Sequence, residues 1–82
     1  MPSVLVVDDE EAVRAVISRT LEAEGYEVSQ AGNGQEALEA LARNGRVDVV
    51  LTDVVMPRLG GRELVERIAA EYPDLRVIWM SG

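Results

Sequence analysis

The sequence predicts an α/β fold, a doubly wound parallel sheet of four strands alternating with three helices. Two observations carry this expectation. Three short runs rich in Val, Leu and Ile, at Ser3–Val7, Val47–Thr52 and Leu75–Met80, and a weakly alternating stretch at Tyr26–Ala31 recur along the 82 residues. Between them the apolar residues change period and return every third and fourth position. Continuous apolar runs of this length suit strands covered on both faces, and the longer spacing is that of an amphipathic helix. Regular alternation of the two implies parallel strands joined by right-handed crossovers, with helices on both sides of the sheet.

Each element has its own signature. Ser3–Val7 is a nearly pure Val/Leu strand that stops at Asp8-Asp9. From Glu10 the stripe Val13, Val16, Ile17, Thr20 and Leu21 marks the first helix, with Arg14, Arg19 and Glu22 on its other side. Gly25 ends it as a C-terminal cap, and Tyr26–Ala31 alternates weakly as the second strand. Asn33 is a good N-cap, with Glu36 three residues on at capping-box spacing, and Ala37, Leu38, Leu41 and Ala42 make the next stripe. Asn44-Gly45 closes that helix. Val47–Thr52 is the third strand, apolar on both faces apart from Asp48 near its start. Pro57 and Gly60-Gly61 mark a loop, Leu64, Val65, Ile68 and Ala69 the third helix, and Tyr72-Pro73-Asp74 its end. Leu75–Met80 is the fourth strand, followed by Ser81-Gly82.

Composition narrows the chemistry. Apolar residues make up 48% of the chain but aromatics only 4%, so the core is aliphatic. There is no cysteine and no histidine, which removes disulfides, thiolate metal sites, imidazole ligands and histidine-based triads. The net charge is −7, from 15 acidic residues against 8 basic ones, all of them Arg. A surface that binds nucleic acid needs a basic patch, so direct nucleic-acid contact is not expected. No apolar run approaches the roughly 18 to 20 residues of a membrane span, and Met-Pro-Ser is not the start of a signal peptide. One soluble, cytoplasmic domain with no membrane contact is the expectation.

The chemistry-bearing residues collect where this fold class binds ligands, outside the carboxyl ends of the strands. Asp8 and Asp9 follow the first strand, Asp53 the third and Ser81 the fourth. Each has an ordinary explanation when taken alone. Adjacent acids often cap the following helix, and a single Asp often forms a turn. The coincidence at several strand ends is what points to function, because two unit charges about 4 Å apart repel by roughly 4 kcal/mol at an effective dielectric near 20. Oxygen-only donors suit Mg²⁺ or Mn²⁺. A carboxylate can also attack phosphorus to give an aspartyl phosphate, provided a cation offsets the charge on the phosphoryl oxygens. Asp53 is the better nucleophile, since it stands alone with two acids nearby to hold metal, and Ser81 can offer its hydroxyl to a phosphoryl oxygen.

Three segments together resemble the receiver domain of two-component response regulators: Val4-Leu5-Val6-Val7-Asp8-Asp9-Glu10, Leu51-Thr52-Asp53-Val54-Val55-Met56-Pro57 with Gly61 beyond it, and Val77-Ile78-Trp79-Met80-Ser81-Gly82. The Gly-Gly-Arg-Glu-Leu stretch and the closing Met-Ser-Gly are most similar to receivers attached to hybrid sensor histidine kinases. The resemblance implies a flavodoxin-like receiver fold with strand order 2-1-3-4. It implies that Asp53 is the phosphoacceptor, served by a histidine kinase or a histidine phosphotransfer domain. It further implies that Asp9 ligates Mg²⁺ directly and Asp8 through water, that Asp53 and the Val55 carbonyl join the metal site, and that Ser81 contacts the phosphoryl group. Met56-Pro57 and Gly61 shape the adjacent loop, and Gly60 replaces an Asp common in relatives without expected effect.

A full receiver continues through a fifth strand whose lysine pairs with the phosphoryl group, and this chain contains no lysine. The expectation is therefore a receiver truncated after strand 4, with that strand as an open edge and apolar faces that favour a homodimer or a domain-swapped oligomer. Three functional readings remain open at this level. The first is a phosphoacceptor module of a phosphorelay, not an enzyme in its own right. The others are a non-phosphorylated scaffold or pseudo-receiver, and a Mg²⁺-dependent phosphoryl-transfer enzyme, which has neither substrate cap nor basic surface here.

Overall fold

The computed structural model describes residues 2–44, 47–53 and 61–80, with the backbone alone at Asn44, Asp53, Arg62, Val65 and Met80. In chain order these form β1 (Ser3–Val7), α1 (Glu11–Ala23), β2 (Glu27–Ala31), α2 (Gly34–Asn44), β3 (Val49–Asp53), α3 (Gly61–Glu71) and β4 (Arg76–Met80). Neighbouring strands are all parallel, in the order β2-β1-β3-β4. The expected topology is the one observed.

Register partners in a parallel sheet share a face. Leu5 pairs with Ser29 and Val50, and Val7 with Ala31 and Thr52, so these residues look to one side; Val4, Val6 and Leu51 look to the other. On the first side Ala37, Ala40 and Leu41 of α2 and Leu64 and Ile68 of α3 close over Leu5, Val7 and Val50. Leu5, Leu64 and Ile68 are essentially inaccessible, and burying each such side chain contributes roughly 1.5–3 kcal/mol. On the second side α1 lies over β1 and β2, where Val4 and Val6 are buried.

The first helix departs from its expected stripe. Val13 and Val16 are 40% and 63% exposed, whereas Ser18, a polar residue, is 2% exposed. The apolar stripe is wider than the strip of sheet that α1 covers, so one flank stays open among the described residues. Ile78 at the β4 edge, on the same side of the sheet, is also exposed, as is Trp79 on the opposite side.

The ends of the elements explain where the boundaries shifted. Gly25 takes φ +96°, a left-handed conformation that costs other L-residues about 1–2 kcal/mol. It allows Gly25 N–H to bond Glu22 O at 3.0 Å and Tyr26 N–H to bond Leu21 O at 3.1 Å, a Schellman cap. Tyr26 is thus part of the cap, and β2 begins at Glu27. Asp48 is likewise removed from β3: its Oδ2 accepts the Ser3 N–H at 2.8 Å, and its own N–H donates to Ser3 O at 2.8 Å. At the start of α2, Asn33 Oδ1 accepts the Glu36 N–H at 2.9 Å as the capping spacing predicts. The return bond lands one residue early, from Gly32 N–H to Glu36 Oε1 at 2.8 Å. β3 extends to Asp53, which pairs with Met80.

Candidate functional site

The carboxyl edge of the sheet is assembled by register. Val7 of β1 pairs with Thr52 of β3, so Asp8 and Asp53, each one residue further on, stand side by side on adjacent strands. Both belong to the face that carries Val4 and Val6. Asp9 follows at once. The Asp53 side chain, Val55 and Ser81 lie outside the described residues, so the structure brings together Asp8, Asp9 and the Asp53 backbone.

Among the described residues Asp8 has a partner at every polar group but one. Its N–H extends the β1–β2 ladder by donating to Ala31 O at 3.1 Å, and its carbonyl accepts from Arg14 Nη1 at 2.7 Å. Its Oδ1 accepts the Glu10 N–H at 2.8 Å. The side chain is 5% exposed. The capping explanation for Asp8 therefore holds in part: it takes one N–H at the entrance to α1, while the N-cap residue itself, Glu10, makes no side-chain cap bond. Asp9 differs. It is exposed, and its carboxylate has no hydrogen-bond or ion-pair partner among the described residues. The edge thus holds one anchored acid and one open acid, with the backbone of Asp53 beside them. Among the described residues no three acidic side chains gather into a metal site, and oxygen donors without imidazole or thiolate are of the kind that suits a hard divalent cation such as Mg²⁺.

Arg14, placed by its periodicity on the outer side of the first helix, turns back toward the sheet. The signal that it does so is its place in the helix. A cation in an N-terminal turn meets the positive end of the macrodipole, an unfavourable location unless the side chain is engaged elsewhere. Gln30 on β2 and the Gly32–Glu36 pair complete its surroundings. An open cleft of about 510 Å³, lined by Leu41, Val47, Tyr72 and Leu75 among others, lies at the opposite end of the sheet and shares no residue with the acidic edge.

The family profile described as "Response regulator receiver domain" matches residues 4–82. The chain belongs to that receiver-domain family. It is similar to the sensor kinase CckA of Brucella abortus, 43% identical over 81 residues that make up 98% of this chain and 9% of the kinase. Two other curated relatives, a transcriptional regulator NtrC of Azospirillum brasilense and a response regulator MprA of Mycobacterium, are matched over 16% and 34% of their lengths. A receiver domain structure from Clostridium thermocellum superimposes with a TM-score of 0.94 at 35% identity, over 100% of this chain and 66% of that one. The response regulator TrrA from Thermotoga maritima, solved in complex with Mg(2+)-BeF, gives 0.92 at 37% identity, over 99% and 70%. The receiver fold is thus observed here, and the chain spans about a third or less of these curated relatives. Among the described residues no helix is long and apolar enough to cross a membrane.

Proposed function

We propose that this receiver accepts a phosphoryl group on Asp53 from the phosphohistidine of a histidine kinase or histidine phosphotransfer domain, with Mg²⁺ held at the carboxyl edge of the sheet. The observation that carries this reading is the juxtaposition of Asp53 with Asp8 and Asp9 across the β1–β3 pair. Asp9, Asp8, Asp53 and the Val55 carbonyl are the residues that would hold the metal, Asp9 directly and Asp8 through water. When bound, Mg²⁺ supplies positive charge that offsets the charge on the phosphoryl oxygens.

The chain's own part is nucleophilic and orienting. A carboxylate oxygen of Asp53 forms a bond to phosphorus as the P–N bond to the donor imidazole breaks; the electron pair goes to the ring nitrogen, which takes up a proton. The product is an acyl phosphate and a free histidine on the donor. Ser81 donates its hydroxyl to a phosphoryl oxygen. Phosphorylation adds about 1.5 to 2 negative charges to an edge that is already acidic, and the change in that surface is the signal. A domain of this kind works in the cytoplasm, beside its kinase, without touching nucleic acid itself. The exposed Val13, Val16, Ile78 and Trp79 support self-association as a homodimer or swapped oligomer, which light scattering at micromolar concentration tests.

The deciding experiment is intact-mass analysis after incubation with Mg²⁺ and a small phosphodonor, or fluorine NMR with beryllofluoride. One adduct per chain, lost in Asp53→Asn and on Mg²⁺ chelation, is expected. Mg²⁺ binding without an adduct points instead to a non-phosphorylated scaffold, and release of phosphate over many cycles to an enzyme.

A further inference from the structure

Arg14 bridges three elements at the acidic edge. From α1 its Nη1 donates to the Asp8 carbonyl at 2.7 Å and its Nε donates to Gln30 Oε1 on β2 at 3.2 Å. The Asp8 N–H is held by Ala31 of the same strand β2 at 3.1 Å. The peptide groups on either side of the Asp8 Cα are therefore clamped, one by the sheet and one by the guanidinium. Gly32 completes the seat: a Cβ there would stand 3.4 Å from Arg14 Nη1 and 3.2 Å from Glu36 Oε1. A side chain at that position would press on the clamp.

What Arg14 leaves alone is as informative as what it binds. A guanidinium beside carboxylates ordinarily takes them, often through two parallel bonds. Here, among the described residues, Arg14 forms no ion pair with Asp8, Asp9 or Glu36, and its bonds to Gln30 Oε1 and the Asp8 carbonyl go to neutral acceptors. The strand end is fastened while the guanidinium leaves the Asp8 and Asp9 carboxylates to other partners. We propose that Arg14 is a positioning residue for the divalent cation, fixing the turn through Asp8 so that the Asp9 carboxylate is presented at the edge. This rests on reading the edge as the cation site.

Charge and positioning predict opposite signs. If Arg14 acted only through its charge, removing it would lift a repulsion and tighten Mg²⁺ binding. If it positions the turn, removing it weakens binding, on the order of 10-fold as for other groups that act through a ligand. Isothermal titration of Mg²⁺ into the whole chain separates the two. Arg14→Ala is expected to bind about 10-fold more weakly with unchanged Mg²⁺-free circular dichroism, and Arg14→Lys, which keeps one donor, to recover part of the loss. Equal or tighter binding by a folded Arg14→Ala overturns the proposal. If that variant does not fold, Gln30→Ala carries the test, since it frees one end of the clamp from an exposed position; a smaller loss supports the proposal, and none overturns it. Failure of the wild-type chain to bind Mg²⁺ defeats both this proposal and the cation-site reading. Wild-type binding that the variants do not alter defeats the Arg14 proposal alone.

Discussion

Asp48 and Asp9 stand at opposite ends of the paired strands β1 and β3, and the protein treats them differently. At the amino end Asp48 is bonded in both directions to Ser3, its carboxylate taking the Ser3 N–H and its own N–H returning to the Ser3 carbonyl, each at 2.8 Å. At the carboxyl end Asp9 is exposed and lacks any such partner among the described residues. The amino end also has the open cleft of about 510 Å³, where Asp48, Glu71 and Asp74 line the wall beside Leu41, Tyr72 and Leu75. The concave feature and the open acid therefore lie at opposite ends of the sheet. A small organic ligand needs concavity, whereas a hydrated ion needs only an open edge that offers oxygens.

The sharpest way to break this contrast is to remove the open acid. Asp9→Ala should weaken Mg²⁺ binding by about 100-fold or more, since a direct ligand is worth at least as much as the groups behind it. A 100-fold loss corresponds to about 2.7 kcal/mol. Chemical denaturation without Mg²⁺ should be unchanged or slightly shifted toward stability, because one member of a like-charged cluster has gone. A Mg²⁺-free loss above about 1 kcal/mol, the size of an ordinary hydrogen bond, would make Asp9 a structural acid after all.

Asp48→Ala is the mirror experiment. It leaves the Ser3 N–H without its charged acceptor, and charge-assisted bonds of this kind contribute about 1.5–3 kcal/mol. Urea unfolding should report a loss of about 2 kcal/mol while the Mg²⁺ affinity stays at the wild-type value. A change in affinity would mean that the two ends of the strands are coupled. Gly25→Ala, in the turn that leads into β2, should cost about 1 kcal/mol through its left-handed φ, again with no effect on Mg²⁺.

The sequence made the strands and the acidic edge legible for the same reason, whereas the strand order 2-1-3-4 came from the resemblance to receiver domains alone. Buried parallel strands are continuous apolar runs, and the abrupt change to Asp8-Asp9 and Asp53 marks their carboxyl ends. Boundaries slipped where a residue that could extend a strand is claimed by a neighbour, Tyr26 by the Schellman cap and Asp48 by Ser3. The face of α1 was only partly legible. A stripe of Val13 and Val16 cannot show that the sheet beneath is too narrow to cover it, nor that Ser18 takes a buried position. Arg14 was missed because a long charged side chain fits a solvated face equally well, and only its place in the first turns of α1 signals that it is engaged elsewhere.

The smallest expected effect concerns the packed middle of α1, one turn beyond Arg14. Ser18 is 2% exposed and its hydroxyl finds no partner among the described residues, whereas the exposed Thr20 hydroxyl bonds the Val16 carbonyl at 2.9 Å. A buried hydroxyl without a bond retains its desolvation cost, and Ala is the better helix former. Ser18→Ala should therefore raise stability by up to about 1 kcal/mol, read as a higher urea midpoint at constant m-value. Mg²⁺ affinity should not move, because among the described residues the Ser18 hydroxyl makes no hydrogen bond to the groups that clamp Asp8. A gain in stability with constant affinity would restrict the functional part of α1 to its first turns, where Arg14 binds Asp8. A gain accompanied by altered Mg²⁺ binding would instead show that packing along the whole helix sets the geometry of the acidic edge.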